Sequence, residues 1–163
     1  IGYQQTISQP YIVARMTESL IEGDKMNEVP INHCLEIGTG CGYQTYILSL
    51  FSKKVTSVER IEPLQDKAKE TLKNLGVRNV TFKIDDGNNL GRLKYDAILS
   101  AAAPLSVPST LKERLAVGGR LILPVGDSQR QVLTLIHRID NDSYEEKRLE
   151  DVLFVPLLKG IVS

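Results

Sequence analysis

The chain has 163 residues, 42% hydrophobic and 25% charged, the composition of a globular protein with the length of one domain and enough material for a core. Its 20 Lys and Arg balance its 20 Asp and Glu, which excludes the broad basic field that gathers nucleic acid or anionic membrane. No apolar run approaches membrane-spanning length, no signal-peptide pattern opens the chain, and the two cysteines, Cys34 and Cys41, suit a reducing cytoplasm better than a disulfide or zinc framework.

The predicted elements begin with "QTISQPY", Gln5 to Tyr11, a polar stretch ahead of an apolar helix. Ser8 is placed to cap that helix, with Pro10 in its first turn where a missing N–H costs nothing. Ile12, Val13, Met16 and Leu20 then recur at helical spacing up to Gly23. Cys34 to Ile37 reads as a short buried strand that runs into a glycine cluster. A helix from Tyr43 to Phe51 and a strand from Lys54 to Glu59 follow. Pro63 starts a helix with Leu64, Ala68 and Leu72 on one face, ending by Gly76. Asn79–Ile84 and Tyr95–Ser100 are the third and fourth strands. Pro108 opens another helix, closed by Gly118 and Gly119, and Arg120–Pro124 is the fifth strand. Beyond Gly126 come two β-prone stretches, Gln131–Ile139 and Lys147–Leu157, with the acidic "DNDSYEE" between them as a hairpin-like loop. Alternating strands and helices predict an α/β fold, a mostly parallel doubly wound sheet covered by helices, finished by antiparallel strands at one edge. There is no internal repeat and no low-complexity linker.

Chemistry gathers at the predicted strand ends. "LEIGTGCGY" carries Gly38, Gly40 and Gly42 between the first strand and its helix. Glycines let the backbone turn sharply and approach a ligand, and the helix start offers free N–H groups. A dinucleotide fingerprint, G-x-G-x-x-G, requires glycine at position 43, where this chain has Tyr43. Glu59 closes the second strand, roughly twenty residues beyond the glycines, where an acid accepts from a ribose. Asp85 and Asp86 close the third at the same edge of the sheet. An acid after a single strand is ordinarily a solvated turn residue; three ligand-type elements at successive strand ends are not so easily dismissed.

The pattern from Glu36 through Gly42 resembles motif I of S-adenosylmethionine-dependent methyltransferases and implies their Rossmann-like fold. The ordered set "QTISQPYIVARMTESL", "LEIGTGCGY", "VTSVERI", "DDGNN", "YDAILSAAAP", "GGRLILPVG" and "FVPLLKG" resembles, more narrowly, the protein-L-isoaspartate O-methyltransferase family. The likeness runs from Ile1 to about Gly160. It implies one methyltransferase domain over residues 1–163, preceded in known members by a further N-terminal segment. The resemblance assigns Ser8 as the active-site hydroxyl, with Gln5, Thr6 and Ile7 beside the cofactor. It gives Gly38, Thr39, Gly40, Cys41, Gly42 and Tyr43 to the methionine end of S-adenosyl-L-methionine. Glu59, with Arg60 beside it, falls to the ribose, and Asp86 and Gly87 to the adenine. Val155, Pro156 and Leu157 lie along the substrate peptide, and no metal is expected. Three departures stand out: Asp85 where many members have glycine, Cys41 where many have serine, and a short Asn88–Lys94 connection without the expected tryptophan.

The implied reaction methylates the free α-carboxylate of an isoaspartyl residue, with S-adenosyl-L-homocysteine as the other product, and so initiates protein repair. That carboxylate is ionised at neutral pH and needs no general base, so His33 and His137, in predicted strands, are expected to be structural. The implied partners are isoaspartyl peptides and damaged proteins, neither nucleic acid nor membrane, and the expected protein is a cytoplasmic monomer. Among rivals, an amino-directed nucleic-acid methyltransferase would carry a Pro-Pro-aromatic motif where "SAAAP" stands, and a cytosine C5 enzyme a Pro-Cys pair, which is absent. A nicotinamide dehydrogenase is disfavoured by Tyr43. The remaining alternatives are a domain that binds S-adenosylmethionine but has lost isoaspartyl turnover, and a methyltransferase for another substrate.

Overall fold

The computed structural model describes residues 1–21 and 30–163. Helix α1 spans Pro10–Leu20, β1 Ile31–Ile37, α2 Tyr43–Phe51, β2 Ser52–Glu59, α3 Glu62–Asn74 and β3 Val80–Ile84. Then come β4 Tyr95–Ser100, α4 Ser109–Glu113, β5 Leu115–Gly126, β6 Gln131–Arg138 and β7 Tyr144–Val152. The strands form one sheet in the order β3-β2-β1-β4-β5-β6-β7. All pairings from β3 to β5 are parallel, and β6 and β7 add antiparallel at one edge. This is the expected Rossmann-like α/β architecture.

The central strands are apolar on both faces, as a sheet covered on both sides requires. Period-two alternation sends Cys34, Val55, Leu99 and Ile122 into a core shared with Met16 and Leu20 of α1 and Leu48 of α2. Their neighbours Leu35, Ile98 and Leu121 enter a second core with Leu111 of α4 and Leu115. β1 lies between β2 and β4, so the strand order reverses there. At such a switch point the connections leave β1 and β4 in opposite directions and open a crevice at the strands' C-terminal ends.

Several expectations need correction. Ser8 is not the cap of α1. The N-cap is Gln9, in extended conformation and without a side-chain capping bond, because Pro10 at the first helical position disfavours helical geometry in the residue before it. The expected end of this helix at Gly23 lies outside the described residues. The helix predicted from Pro108 to Gly118 stops at Glu113. Gly118 and Gly119 instead lie inside β5, where the register against β4 shifts between Tyr95 and Ala97. A Cβ on Gly119 would stand 2.9–3.1 Å from three carbonyl oxygens, so this glycine permits a close backbone approach at a strand irregularity.

The last strand begins earlier than predicted and ends earlier. Tyr144, Glu145 and Glu146 pair with β6, since charged side chains on an edge strand face water. The turn is reduced to residues 139–143, where Asp140 Oδ1 accepts from the N–H groups of Asp142 and Ser143 at 2.9 and 2.8 Å. At the other end Gln131 draws the chain off the sheet. Its Oε1 accepts from Phe154 N at 2.7 Å and its Nε2 donates to Phe154 O at 3.0 Å. The released segment crosses the top of β4, where Ala103 N donates to Val155 O and Leu157 N to Ala103 O. His33 on β1 is held by its neighbours: Nε2 lies 2.9 Å from Thr56 Oγ1, and the ring meets Tyr95 edge-on.

Candidate active site

A cleft of about 1140 Å³, open mouth included, sits over the C-terminal ends of β1, β2, β3 and β4. Its floor is the β1–α2 turn. Gly38 has φ +95° and Gly42 φ +85°, a region that L side chains avoid. A Cβ on Gly42 would also press on Leu72 and Ala68 of α3 at 3.2–3.3 Å. Gly38 N donates to Val58 O at 2.8 Å, which ties the turn to β2. Helix α2 has Gly42 as its N-cap and no side-chain capping bond, so its first N–H groups are donors directed to one end of the helix.

Glu59 forms the wall beside this turn and is only 6% exposed. Its Oε2 accepts from Gly40 N at 2.9 Å, and its Oε1 from Arg60 N and Ile61 N at 2.9 and 3.0 Å. One carboxylate therefore locks the glycine turn to the end of β2. Oε2 carries a single such bond, which leaves capacity for a ligand hydroxyl.

At the end of β3, Asp85 accepts from Gly87 N and Asn89 N through Oδ1, at 2.7 and 3.3 Å. The residue that departs from the family pattern thus shapes its own loop. Asp86 accepts from Gly160 N at 2.8 Å through Oδ2 and from Asn88 N at 3.1 Å through Oδ1. The Gly160 N–H, foremost among these, holds the Asp86 carboxyl below its ordinary range.

Of the residues expected at the site, Gln5, Thr6, Ile7, Ser8, Gly38, Thr39, Gly40, Cys41 and Tyr43 line the cleft. So do Glu59, Arg60, Asp86, Val155, Pro156 and Leu157. Gly42 and Gly87 do not reach it; they shape the turns behind. The Ser8 hydroxyl makes no hydrogen bond within the described residues, so neither capping nor packing claims it. Sequence reasoning missed Gln44, Ala101, Ala102 and Leu158, which also line the cleft. The two alanines had a signal: a run of small residues directly after the strand at the switch point leaves room for a ligand.

Below the turn lies a buried polar group. Thr45 Oγ1 and Ser57 Oγ each donate to Glu36 Oε2 at 2.5 Å, and Ser57 Oγ is 2.6 Å from Thr39 Oγ1 in the glycine turn. Glu36 is fully buried, and its Oε1 has no partner among the described residues. Burial pushes its carboxyl up from 4.5 to about 7; Ser57 and Thr45 pull the other way, and Glu59 adds to the rise. The folded protein therefore holds this proton more tightly than the unfolded chain does. The stabilisation is complete below about pH 4.5 and is lost as pH rises through 7, a swing of about 3 kcal/mol. Glu36→Gln retains the shape and cannot titrate. Urea unfolding at pH 5 and pH 8 should show wild type losing about 2–3 kcal/mol more than the variant between the two. Parallel losses would show that Glu36 does not titrate in this range.

Residues 1–161 match the family model of protein-L-isoaspartate(D-aspartate) O-methyltransferase. A protein-L-isoaspartate O-methyltransferase of Saccharophagus degradans is 52% identical, over 99% of this chain and 71% of its own length. One from Alcanivorax borkumensis is 48% identical, over 99% of this chain and 72% of its own. Among solved structures, the Plasmodium falciparum protein crystallised under the same family name with S-adenosyl-L-homocysteine superposes with a TM-score of 0.80. It is 26% identical and covers 98% of this chain and 79% of its own.

Proposed function

The chain belongs to the protein-L-isoaspartate(D-aspartate) O-methyltransferase family, and from that membership we propose its reaction: transfer of a methyl group from S-adenosylmethionine to the α-carboxylate of L-isoaspartyl residues in damaged proteins. The observation that carries this reading is the convergence on one cleft of the glycine turn, Glu59, Asp86, the opening polar stretch and residues 155–157. S-adenosylmethionine supplies an electrophilic methyl group when bound. The residues present fit it. Buried Glu59 keeps an acceptor for a ribose hydroxyl, Asp86 is an acceptor for an amino donor, and the start of α2 offers N–H groups to an anionic end.

The peptide carboxylate is already ionised at neutral pH, so the protein has no proton to remove. Its task is alignment, and holding two reactants in line is worth roughly 7–11 kcal/mol. Ser8, with its hydroxyl uncommitted, orients the carboxylate. Val155, Pro156 and Leu157 hold the peptide backbone beside it, and Gln5, Thr6 and Ile7 line the cleft beside the cofactor. In the family the methyl ester collapses to a succinimide that partly hydrolyses to normal aspartate, which is how methylation serves repair.

We further read residues 1–163 as one methyltransferase domain that works as a monomer. The proposed compartment is the cytoplasm, whose reducing conditions suit the free Cys34 and Cys41. Among the described residues no helix is long and apolar enough to cross a membrane. Calorimetry should detect binding of S-adenosylhomocysteine and no competition by NADH. Folded protein that gives no heat and no thermal shift with the ligand contradicts the reading.

A further inference from the structure

After Leu157 the chain does not leave the cleft. Leu158 lines it, and residues 160–162 then lie along the exit of β2. Val162 N donates to Arg60 O at 2.7 Å, Glu62 N donates to Val162 O at 2.9 Å, and Ile61 forms a parallel bridge with Val162. Gly160 sits at the centre of this strap. Its carbonyl accepts from Arg60 Nε at 2.9 Å, and its N–H donates to Asp86 Oδ2 at 2.8 Å. Gly160 has φ +86° and does not itself line the cleft. The strap thus joins the ends of β2 and β3 and takes hold of one carboxylate that faces the ligand space.

We propose that residues 158–162 act as a specificity strap, in which Gly160 and Arg60 are positioning residues that orient Asp86 to select a 6-aminopurine over a 6-oxopurine. The inference rests on the reading of the cleft as an S-adenosylmethionine site. An ionised carboxylate only accepts hydrogen bonds, so it welcomes an exocyclic amino group and repels a carbonyl oxygen. The N–H of Gly160 favours the ionised form of Asp86, which keeps that distinction in force at neutral pH. Discrimination also needs a fixed carboxylate, because one free to rotate can turn away from the carbonyl and let water fill the gap. Asp86 is only partly buried, and among the described residues its Oδ2 is held from outside its own loop by Gly160 alone.

The test compares the affinities of S-adenosylhomocysteine and its 6-oxo analogue, S-inosylhomocysteine, by calorimetry. Wild type should favour the adenine ligand by roughly tenfold or more. Gly160→Val places a β-branched residue at positive φ and should bring the ratio to about threefold or less. Gly160→Asn, which tolerates that conformation, should keep the wild-type ratio. Arg60→Ala frees the Gly160 carbonyl and should also lower the ratio; it decides the matter if the valine variant does not fold. A folded Gly160→Val or Arg60→Ala protein that binds both ligands more weakly, at an unchanged ratio, overturns the strap's role. Equal binding of both ligands by wild type overturns it too, while the cofactor site stands. Failure to bind either ligand defeats the cofactor reading itself.

Discussion

Glu59→Ala should weaken S-adenosylhomocysteine binding by about a hundredfold or more and lower unfolding stability by about 2–3 kcal/mol. A charge-assisted hydrogen bond contributes about 1.5–3 kcal/mol, and Glu59 makes three to backbone donors before any ligand arrives. Truncation leaves the N–H groups of Gly40, Arg60 and Ile61 without this acceptor and removes the side-chain tie between the glycine turn and β2, leaving the backbone bond from Gly38 N to Val58 O. The ligand then loses both its ribose acceptor and the shape of the turn that receives its other end. Glu59→Gln separates these contributions, since an amide keeps one accepting oxygen and should retain part of the clamp. Calorimetry with denaturant unfolding measures both. An alanine variant that binds within threefold of wild type would show that the carboxylate serves the fold alone.

Ser8→Ala should slow methyl transfer roughly ten- to a hundredfold, the cost of one hydrogen bond to an anion when it is felt in the transition state. Cofactor affinity should stay within twofold, because the glycine turn, Glu59 and Asp86 are untouched. The cap is Gln9 rather than Ser8, so stability should change by no more than about 0.5 kcal/mol. A slow, stable variant that binds S-adenosylhomocysteine normally is therefore the expected result. Turnover within twofold of wild type would remove Ser8 from the reaction.

The parallel core of the fold was legible because its signals are local. Helix α2 and strand β4 have the predicted bounds, set by an apolar run directly after a glycine turn and by a six-residue stretch buried at every position but Asp96. The glycine turn, Glu59 and Asp86 were legible for a related reason: each lies at the end of its own strand, and the sheet brings those ends together. Misreadings came where a residue serves a distant partner. Gly118 and Gly119 look like a helix stop, yet Gly119 makes room for the carbonyls of Tyr95 and Asp96 on β4. The acidic residues of β7 look like loop because an edge strand shows its side chains to water. Ser8 looks like a cap, and the proline two positions on moved the cap to Gln9.

The roles of the strap and of Gln131 were hidden more deeply. Gln131 meets Phe154 and Gly160 meets Asp86 across separations of 23 and 74 residues, which no periodicity encodes. Glu36 shows the limit from the other side. Its place in the glycine motif was plain, but its burial with one unpartnered oxygen, and the proton affinity this creates, depend on three-dimensional packing against Ser57 and Thr45.

The most direct measurement of the proposed reaction uses two peptides that differ only in having an isoaspartyl or a normal aspartyl linkage at one position. Each is incubated with this chain and S-adenosylmethionine labelled in its methyl group. Only the isoaspartyl peptide presents a free α-carboxylate at that position, so label should enter it and leave its twin at background. Equal labelling of the two would contradict the substrate assignment, and absence of label in both, by protein that binds S-adenosylhomocysteine, would contradict turnover and leave a binding domain.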